Sequence, residues 1–523
     1  MAAFEILLLL VAFCVALAWL AQRLGIPLAV PLVLGGMALA FVPGLPVIGL
    51  NPELALALFL PPLLQASAYR TDWVGFRSNL RPILLLAVGA VFFSAAAVAL
   101  VARLMVPDLP WWAAVALGAI VAPPDAVAAA SVLRRFNLPR RLVIVLEGES
   151  LINDASSLVL YRFAVAAVAT VSVSYAHGAL QFVGAASGGA LVGWGVGRAA
   201  MWVFARVDDT MLDITVSLLA GFVAYLVAER LHASGVLAAV ACGLVLGRQQ
   251  HAEFTARTRL DLGAVWNFTE FLLASLVFML IGLQLRGIVA RLTDYNPARL
   301  AGLAVAVALT LIASRFVWVF ASTWLARRLP SSAASDGLPR WSHAAVLSWA
   351  GMRGVVSLAA ALALPAGFPG RDIIVFLAFC SIFATLVVQG TTLGWVVRRL
   401  GVAEPEAGIA PSTAQARAEI ATAARDAVKS QLDIQETPVH AGAAAQLVGE
   451  YEVRAERASV AGQDLESKSG ELDAQYQLRL LAIEAAREKL AQQTDEIDVE
   501  THRTLGEELD LEEQQIRRAL GQA

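Results

Sequence analysis

Charge is what this sequence has least of. Only 15% of its 523 residues are Asp, Glu, Lys or Arg, and no lysine occurs in residues 1–401. The chain is 58% hydrophobic with a mean hydropathy of +0.68. That balance excludes an ordinary soluble domain, which cannot cover so much apolar surface. Cysteine is scarce too. Cys14, Cys242 and Cys380 lie far apart in apolar runs, which excludes a disulfide framework or a thiolate metal site and leaves them as small buried hydrophobes. The six histidines are scattered, and no nucleophile–base pair, metal cluster or phosphate-binding loop is present. Enzyme chemistry, a cofactor and a nucleic-acid partner are therefore not expected. The first apolar run, Phe4 to Leu20, lacks a basic leader and a good cleavage site, so it is expected to be retained as a helix.

What is present divides in two. Residues 1–401 carry 27 Arg and 18 acids, a net of +9, and residues 402–523 carry 12 Lys or Arg and 24 acids, a net of −12. The first part reads as about thirteen bilayer-crossing segments, from 4–21 to 372–397. Prolines interrupt the runs 27–43, 53–68 and 112–132. With the C-terminus placed inside, the inner loops hold sixteen arginines and the outer loops six. That asymmetry supports an odd count, with the N-terminus outside and the C-terminal tail in the cytoplasm. The expected class is an all-α polytopic membrane protein with a helical, acidic C-terminal domain over 402–523. Helical stretches in the tail are expected near 412–432, 440–460, 470–493 and 494–520.

Polar groups break the apolar pattern at four places. The densest is Leu146-Glu147-Gly148-Glu149-Ser150-Leu151-Ile152-Asn153-Asp154, which puts three carboxylates ahead of a long apolar stretch. Charge in hydrocarbon is costly and marks a functional candidate by default. On a helix, Glu147, Ser150 and Asp154 fall on one face at i, i+3 and i+7. Oxygen donors of this kind suit hard monovalent cations and protons. In the second place, Pro123 and Pro124 precede Asp125. Two missing N–H groups should break the helix near mid-membrane, leaving carbonyls that protein, water or an ion must satisfy. The third runs Leu60-Pro61-Pro62-Leu63-Leu64-Gln65-Ala66-Ser67. The fourth is Trp349-Ala350-Gly351-Met352-Arg353-Gly354-Val355-Val356-Ser357. Arg315 and Arg353 lie inside apolar runs; Glu149, off the Asp154 face, is expected to form a buried ion pair with Arg353. Arg162 also lies in a span and is expected to snorkel.

These motifs resemble the cation/proton antiporters of the sodium/proton exchanger type, over roughly residues 1–400. The Gly148–Asp154 stretch, Pro124-Asp125, Leu280-Ile281-Gly282-Leu283 and Gly351-Met352-Arg353-Gly354 carry the resemblance. It implies Asp154 as the alternating carrier of ion and proton, Ser150 as a coordinating hydroxyl and Asn153 as a structural partner. It also implies a Na⁺ site at Asp154 and Ser150, Glu149–Arg353 as a structural bridge and Arg315 as a further buried arginine touching the core. A homodimer, inverted repeats and a core domain moving against a dimerisation domain are implied as well. Two departures stand out. Pro124 replaces the family's threonine, and no acid occurs near Gln65, where many members have one; Gln65 or Ser67 is expected to substitute in part.

The expected function is secondary active exchange of Na⁺, and also Li⁺, for H⁺ across the cell membrane, in the service of sodium transport and pH homeostasis. Asn153 in place of a second acid leaves one exchanging charge, a pattern from which the resemblance implies an electroneutral 1:1 exchange. The rival readings are K⁺/H⁺ or mixed-cation exchange, and a membrane regulatory or receptor protein that no longer transports.

Overall fold

In a computed structural model the described residues are 2–43, 52–133, 136, 138–169, 175–207, 209–254, 256–292, 295–328, 340–403, 411–432, 447–449, 451–452, 468–492 and 499–519. Among them the protein is all-helical. The chain divides into two compact units, Met1–Glu404 and Pro405–Ala523.

The first unit opens with α1 (Ala2–Leu24), α2 (Ala29–Ala40), α3 (Pro52–Arg70) and α4 (Trp73–Ser78). Next come α5 (Leu80–Leu84), a π-helical segment (Leu85–Ala90) and α6 (Val91–Met105). Beyond them lie α7 (Trp111–Val121), α8 (Ala126–Leu133), α9 (Arg140–Ala169) and α10 (Tyr175–Phe204). They are followed by α11 (Thr210–Arg230), α12 (Gly235–Glu253), α13 (Ala256–Leu283), α14 (Leu285–Val289) and α15 (Pro297–Arg328). The unit closes with α16 (Trp341–Trp349), α17 (Val355–Leu362), α18 (Arg371–Ala384), a second π segment (Thr385–Gln389) and α19 (Gly390–Arg399).

Local chemistry sets several of these boundaries. The Asp72 carboxylate accepts the Gly75 N–H at 3.1 Å to start α4, and Asp209 accepts the Leu212 N–H at 2.9 Å to start α11. Gly25 ends α1 at a φ of +65°, a conformation that carries no side-chain clash in glycine. Pro61 and Pro62 do not end α3, which runs through both. The pair Pro123-Pro124 does end α7, at Val121, and α8 begins only at Ala126.

Six described helices or helix runs are long and apolar enough to cross a bilayer: Leu80–Met105, Arg140–Val168, Thr210–Arg230, Thr258–Val289, Pro297–Arg328 and Arg371–Arg399. Leu8–Leu24, Ala29–Ala40, Trp111–Val121 and Gly235–Gln249 are shorter apolar helices. The segments expected from the sequence thus separate into long spans and short or interrupted ones.

Small residues let backbones meet, as packing within a bilayer requires. A Cβ on Gly36 of α2 would sit 2.3 Å from the Met279 carbonyl of α13, and one on Gly282 would sit 2.3 Å from the Val33 carbonyl of α2. Gly189 and Gly193 seat α10 on α12 in the same way, and Gly243 and Gly247 seat α12 on α3.

The second unit contains α20 (Pro411–Leu432), α21 (Lys468–Gln492) and α22 (Val499–Ala519). Helices α21 and α22 pack together. Ile483 and Ile516 are buried, and Arg487 pairs with Asp510 and Glu513. Hydrogen bonds from Arg517 and Arg487 hold the Glu513 carboxyl below its ordinary range. The expected stretch 440–460 lies largely outside the described residues.

Candidate ion-binding site

The site is built where two interrupted helices, α7–α8 and α16–α17, lie against each other. Pro123 and Pro124 have no N–H to give to carbonyls one turn back, so the end of α7 needs other donors. It receives them from side chains. The Ser157 hydroxyl of α9 donates to the Ala119 carbonyl at 2.7 Å. Arg353, in the gap between α16 and α17, donates through Nε to the Val121 carbonyl at 2.8 Å. Asn153 of α9 donates through Nδ2 to the Pro124 carbonyl at 2.7 Å. In return the Asp125 N–H donates to the Met352 carbonyl at 2.6 Å, and the Arg353 N–H to the Thr385 hydroxyl of the second π segment at 3.1 Å. Every one of these bonds crosses between elements, so the two breaks and α9 form one polar network in an apolar surround.

Charge follows the helix ends. Arg353, only 2% exposed, sits at the C-terminal ends of α7 and α16, where it also donates to the Gly351 carbonyl. The Asp125 carboxylate lies against Gly354, beside the N-terminal end of α17. A cation at carbonyl ends and an anion at an amide end both match the helix dipoles.

The helical periods decide what faces the cavity. Glu147, Ser150, Leu151 and Asp154 of α9 line a cavity of about 80 Å³, and Leu60, Leu63, Leu64, Ser67 and Arg70 of α3 line it from the opposite side. Glu270, Ala274 and Val277 of α13 complete that wall, and Pro124, Asp125, Gly354 and Ser357 supply the break. The space suits a cation with a few waters. A second cavity of about 220 Å³ shares Pro124, Asp125, Glu147 and Ser150 and reaches Glu149 and Arg315. Asp154 is 7% exposed, and no described side chain donates a hydrogen bond or a positive charge to its carboxylate. Asp125 lines the same cavity. Two carboxylates on one buried cavity favour uptake of a counter-charge, either a cation or a proton.

Two expectations need correction. Glu149 does not pair with Arg353. Its carboxylate receives both forks of Arg315, Nη1 to Oε1 at 2.6 Å and Nη2 to Oε2 at 2.8 Å, with both side chains almost fully buried. Arg315 also donates to the Leu347 carbonyl near the end of α16 through Nε at 3.2 Å and Nη2 at 3.1 Å. Arg353 gives Nε and Nη1 to carbonyls of the two breaks, whereas Arg315 on the unbroken α15 presents both Nη groups as a planar fork to Glu149. Gln65 does not substitute for a cavity acid. Its Nε2 donates to the Ser217 carbonyl of α11 at 2.7 Å, and a Cβ on Gly221 would clash with its Oε1. Residue 65 lies off the 60–63–64–67–70 face of α3, so it turns away from the cavity; Ser67, on that face, lines it.

Some participants were not singled out from the sequence. Ser157 repairs α7, Thr385 anchors the Arg353 backbone, and Arg70 pairs with Glu270 on the cavity wall while donating to Asn267 at 2.8 Å. Glu270 had a signal, being a lone acid in an apolar run. Ser157 and Thr385 had none, because hydroxyls in apolar helices commonly bond their own backbone. Arg162, expected to snorkel, has a half-exposed side chain that donates through Nη2 to both carboxylate oxygens of Glu229, at the C-terminal end of α11, at 2.8 Å each.

The model of the family "Sodium/hydrogen exchanger, transmembrane" matches residues 9–399. A Mycobacterium tuberculosis protein described as an uncharacterized Na⁺/H⁺ exchanger is 37% identical over 447 residues, covering 83% of this chain and 80% of that protein. A sodium, potassium, lithium and rubidium/H⁺ antiporter of Bacillus pumilus is 34% identical over 383 residues, covering 70% of this chain and 57% of that protein. The solved sodium proton antiporter of Methanocaldococcus jannaschii shares the fold, with a TM-score of 0.61 at 18% identity over 75% of this chain and 99% of that one. This chain belongs to the sodium/hydrogen exchanger family, a family of cation/proton transporters.

Proposed function

We propose that the chain exchanges one Na⁺ or Li⁺ for one H⁺ by alternating access, with Asp154 as the carrier. The observation that carries this reading is the Asp154 carboxylate, without a partner among the described side chains and on one cavity with Ser150 and Asp125. A cation and a proton neutralise the same anion, so each displaces the other and the two gradients couple at one residue. Ser150 contributes a hydroxyl ligand. Asn153 acts through the Pro124 carbonyl, which it holds in place, and because it is uncharged it leaves a single exchanging charge.

The moving body is α9 with the two interrupted helices. Buried polar bonds tie these elements together, whereas across the cavity α9 faces mainly apolar side chains of α3 and α13, over which it can slide. Residues 1–401 form the transport domain of a homodimer in the cell membrane, with the N-terminus outside. Residues 402–523 form a cytoplasmic helical appendage. The physiological role is sodium extrusion and pH homeostasis.

A second reading, mixed Na⁺, Li⁺ and K⁺ exchange, is favoured by the orientation of Gln65. With Gln65 turned away and Pro124 lacking a hydroxyl, fewer protein oxygens replace hydration water, and discrimination between cations weakens. Everted vesicles energised with a pH gradient test both readings. Fluorescence dequenching by Na⁺ and Li⁺, with no response of a membrane-potential dye, is the expected result. An equal response to K⁺ selects the second reading, a potential signal rejects 1:1 exchange, and no dequenching by any cation rejects exchange.

Gly354→Ala tests the geometry of the break. The new Cβ would lie 2.0 Å from Asp125 Oδ2 and 2.5 Å from its Cγ, so the carboxyl must leave. Overpacking of this kind costs about 1–3 kcal/mol, and the displaced acid should slow exchange by about tenfold or more at normal membrane abundance. A wild-type rate would show that the Asp125 position is unimportant.

A further inference from the structure

Several serine hydroxyls buried in the apolar helices of this protein fold back on their own backbone. Ser156 donates to the Ile152 carbonyl at 3.1 Å, Ser314 to the Leu311 carbonyl at 3.1 Å and Ser348 to the Ala344 carbonyl at 2.8 Å. Ser357 does not. It is 1% exposed, yet its hydroxyl has no partner among the described residues. Ser275 and Ser381 share that condition, but of the three only Ser357 lines the cavity of Asp154. The local reason is its place in α17. That helix starts at Val355, so residue 353, one turn back, belongs to the break and presents no helical carbonyl to residue 357. A buried hydroxyl left open costs free energy and calls for a partner. Here the residue that carries the open hydroxyl lines the space shared by Asp154, Ser150 and Asp125.

From this we propose that Ser357 is a cation ligand, supplying from α17 the hydroxyl oxygen that Pro124 does not offer on the other interrupted helix. The inference rests on the carrier reading of Asp154 and deepens it. The cation is then held between α9, through Asp154 and Ser150, and α17, through Ser357. A further hard oxygen matters most for the cations whose dehydration costs most, so Ser357 favours Li⁺ and Na⁺ over K⁺. The hydroxyl is neutral, so it leaves the exchange stoichiometry unchanged.

The full-length protein tests this by two readouts. In everted vesicles Ser357→Ala should raise KM for Na⁺ and Li⁺ by about tenfold, that for K⁺ by about twofold or less, and leave kcat within about twofold, in line with loss of one ligand bond. Ser357→Thr should keep the wild-type order. In detergent, Ser357→Ala should melt at or above the wild-type temperature without Na⁺, because an open polar group has been removed, and should gain less from added NaCl than wild type does, with choline chloride as the control. Unchanged KM values and cation ratios overturn the proposal. So does a lower melting temperature without Na⁺, which would mark the hydroxyl as a structural bond. Asp154→Asn, run in parallel, separates the two readings. If it keeps the Na⁺-dependent stabilisation, the cation sits elsewhere and the carrier assignment fails. If it loses that stabilisation while Ser357→Ala matches wild type, only the role of Ser357 fails.

Discussion

Asp154→Asn is expected to abolish cation/proton exchange while the protein remains folded in the membrane. Asparagine has nearly the same shape but neither binds a proton in this range nor offers a cation a full negative charge. The coupling proposed above needs one group that holds either ion, and no other described residue of the cavity repeats the position of Asp154 on the α9 face. The structural consequence has the opposite sign. The carboxylate is 7% exposed and receives no described donor, so removing its charge relieves a desolvation cost. The purified variant should therefore melt at the same temperature as wild type or higher. Retained pH-driven Na⁺ uptake by vesicles would show that Asp154 is not the carrier.

Arg315→Met should be the most destabilising single change near the site. It removes both forks from Glu149 and the donors to the Leu347 carbonyl, leaving a buried carboxylate without its hydrogen-bonded guanidinium. Breaking such a pair from one side costs about 3–5 kcal/mol. The double variant Glu149→Met/Arg315→Met should recover most of that loss, because the pair itself adds little net stability once its desolvation is counted. Arg353→Met should cost less, about 1–3 kcal/mol, since it opens the Val121 and Gly351 carbonyls and strands no acid. Thermal melts in detergent give the order. If Arg353→Met proved the worse of the two, and Glu149→Met rescued it, Glu149 would belong to Arg353.

Much of the site was legible because helical period and solvent are local properties. Glu147, Ser150 and Asp154 at i, i+3 and i+7 had to share a face, and the structure puts all three on one cavity. Pro123 and Pro124 had to stop a helix, because neither can donate to the turn before. The same rule applied to Pro61 and Pro62 does not hold, and α3 continues through them. Gln65 shows the limit in another way. Its chemistry suited the cavity, but its position on α3 puts it two residues from Ser67 and on another face, so period outweighed residue type.

The pairing of Glu149 was beyond any local rule. Arg315 and Arg353 are both buried arginines in apolar runs, and each lies more than 160 residues away along the chain, with |i−j| of 166 for the pair that forms. The choice depends on where distant groups meet: Arg353 gives Nε and Nη1 to the Val121 and Gly351 carbonyls, whereas Arg315 gives Nη1 and Nη2 to Glu149 while its Nε and Nη2 also reach the Leu347 carbonyl. By itself the sequence determined that the chain is a polytopic membrane protein, that its acids lie on particular helical faces and that α7 is interrupted, since hydrocarbon tolerates no uncompensated charge or backbone. The tertiary structure alone decided which arginine neutralises Glu149, which way Gln65 turns, and that Ser357 brings an open hydroxyl to Asp154. Those outcomes depend on how distant helices meet, and a hydrogen bond reaches only about 3 Å.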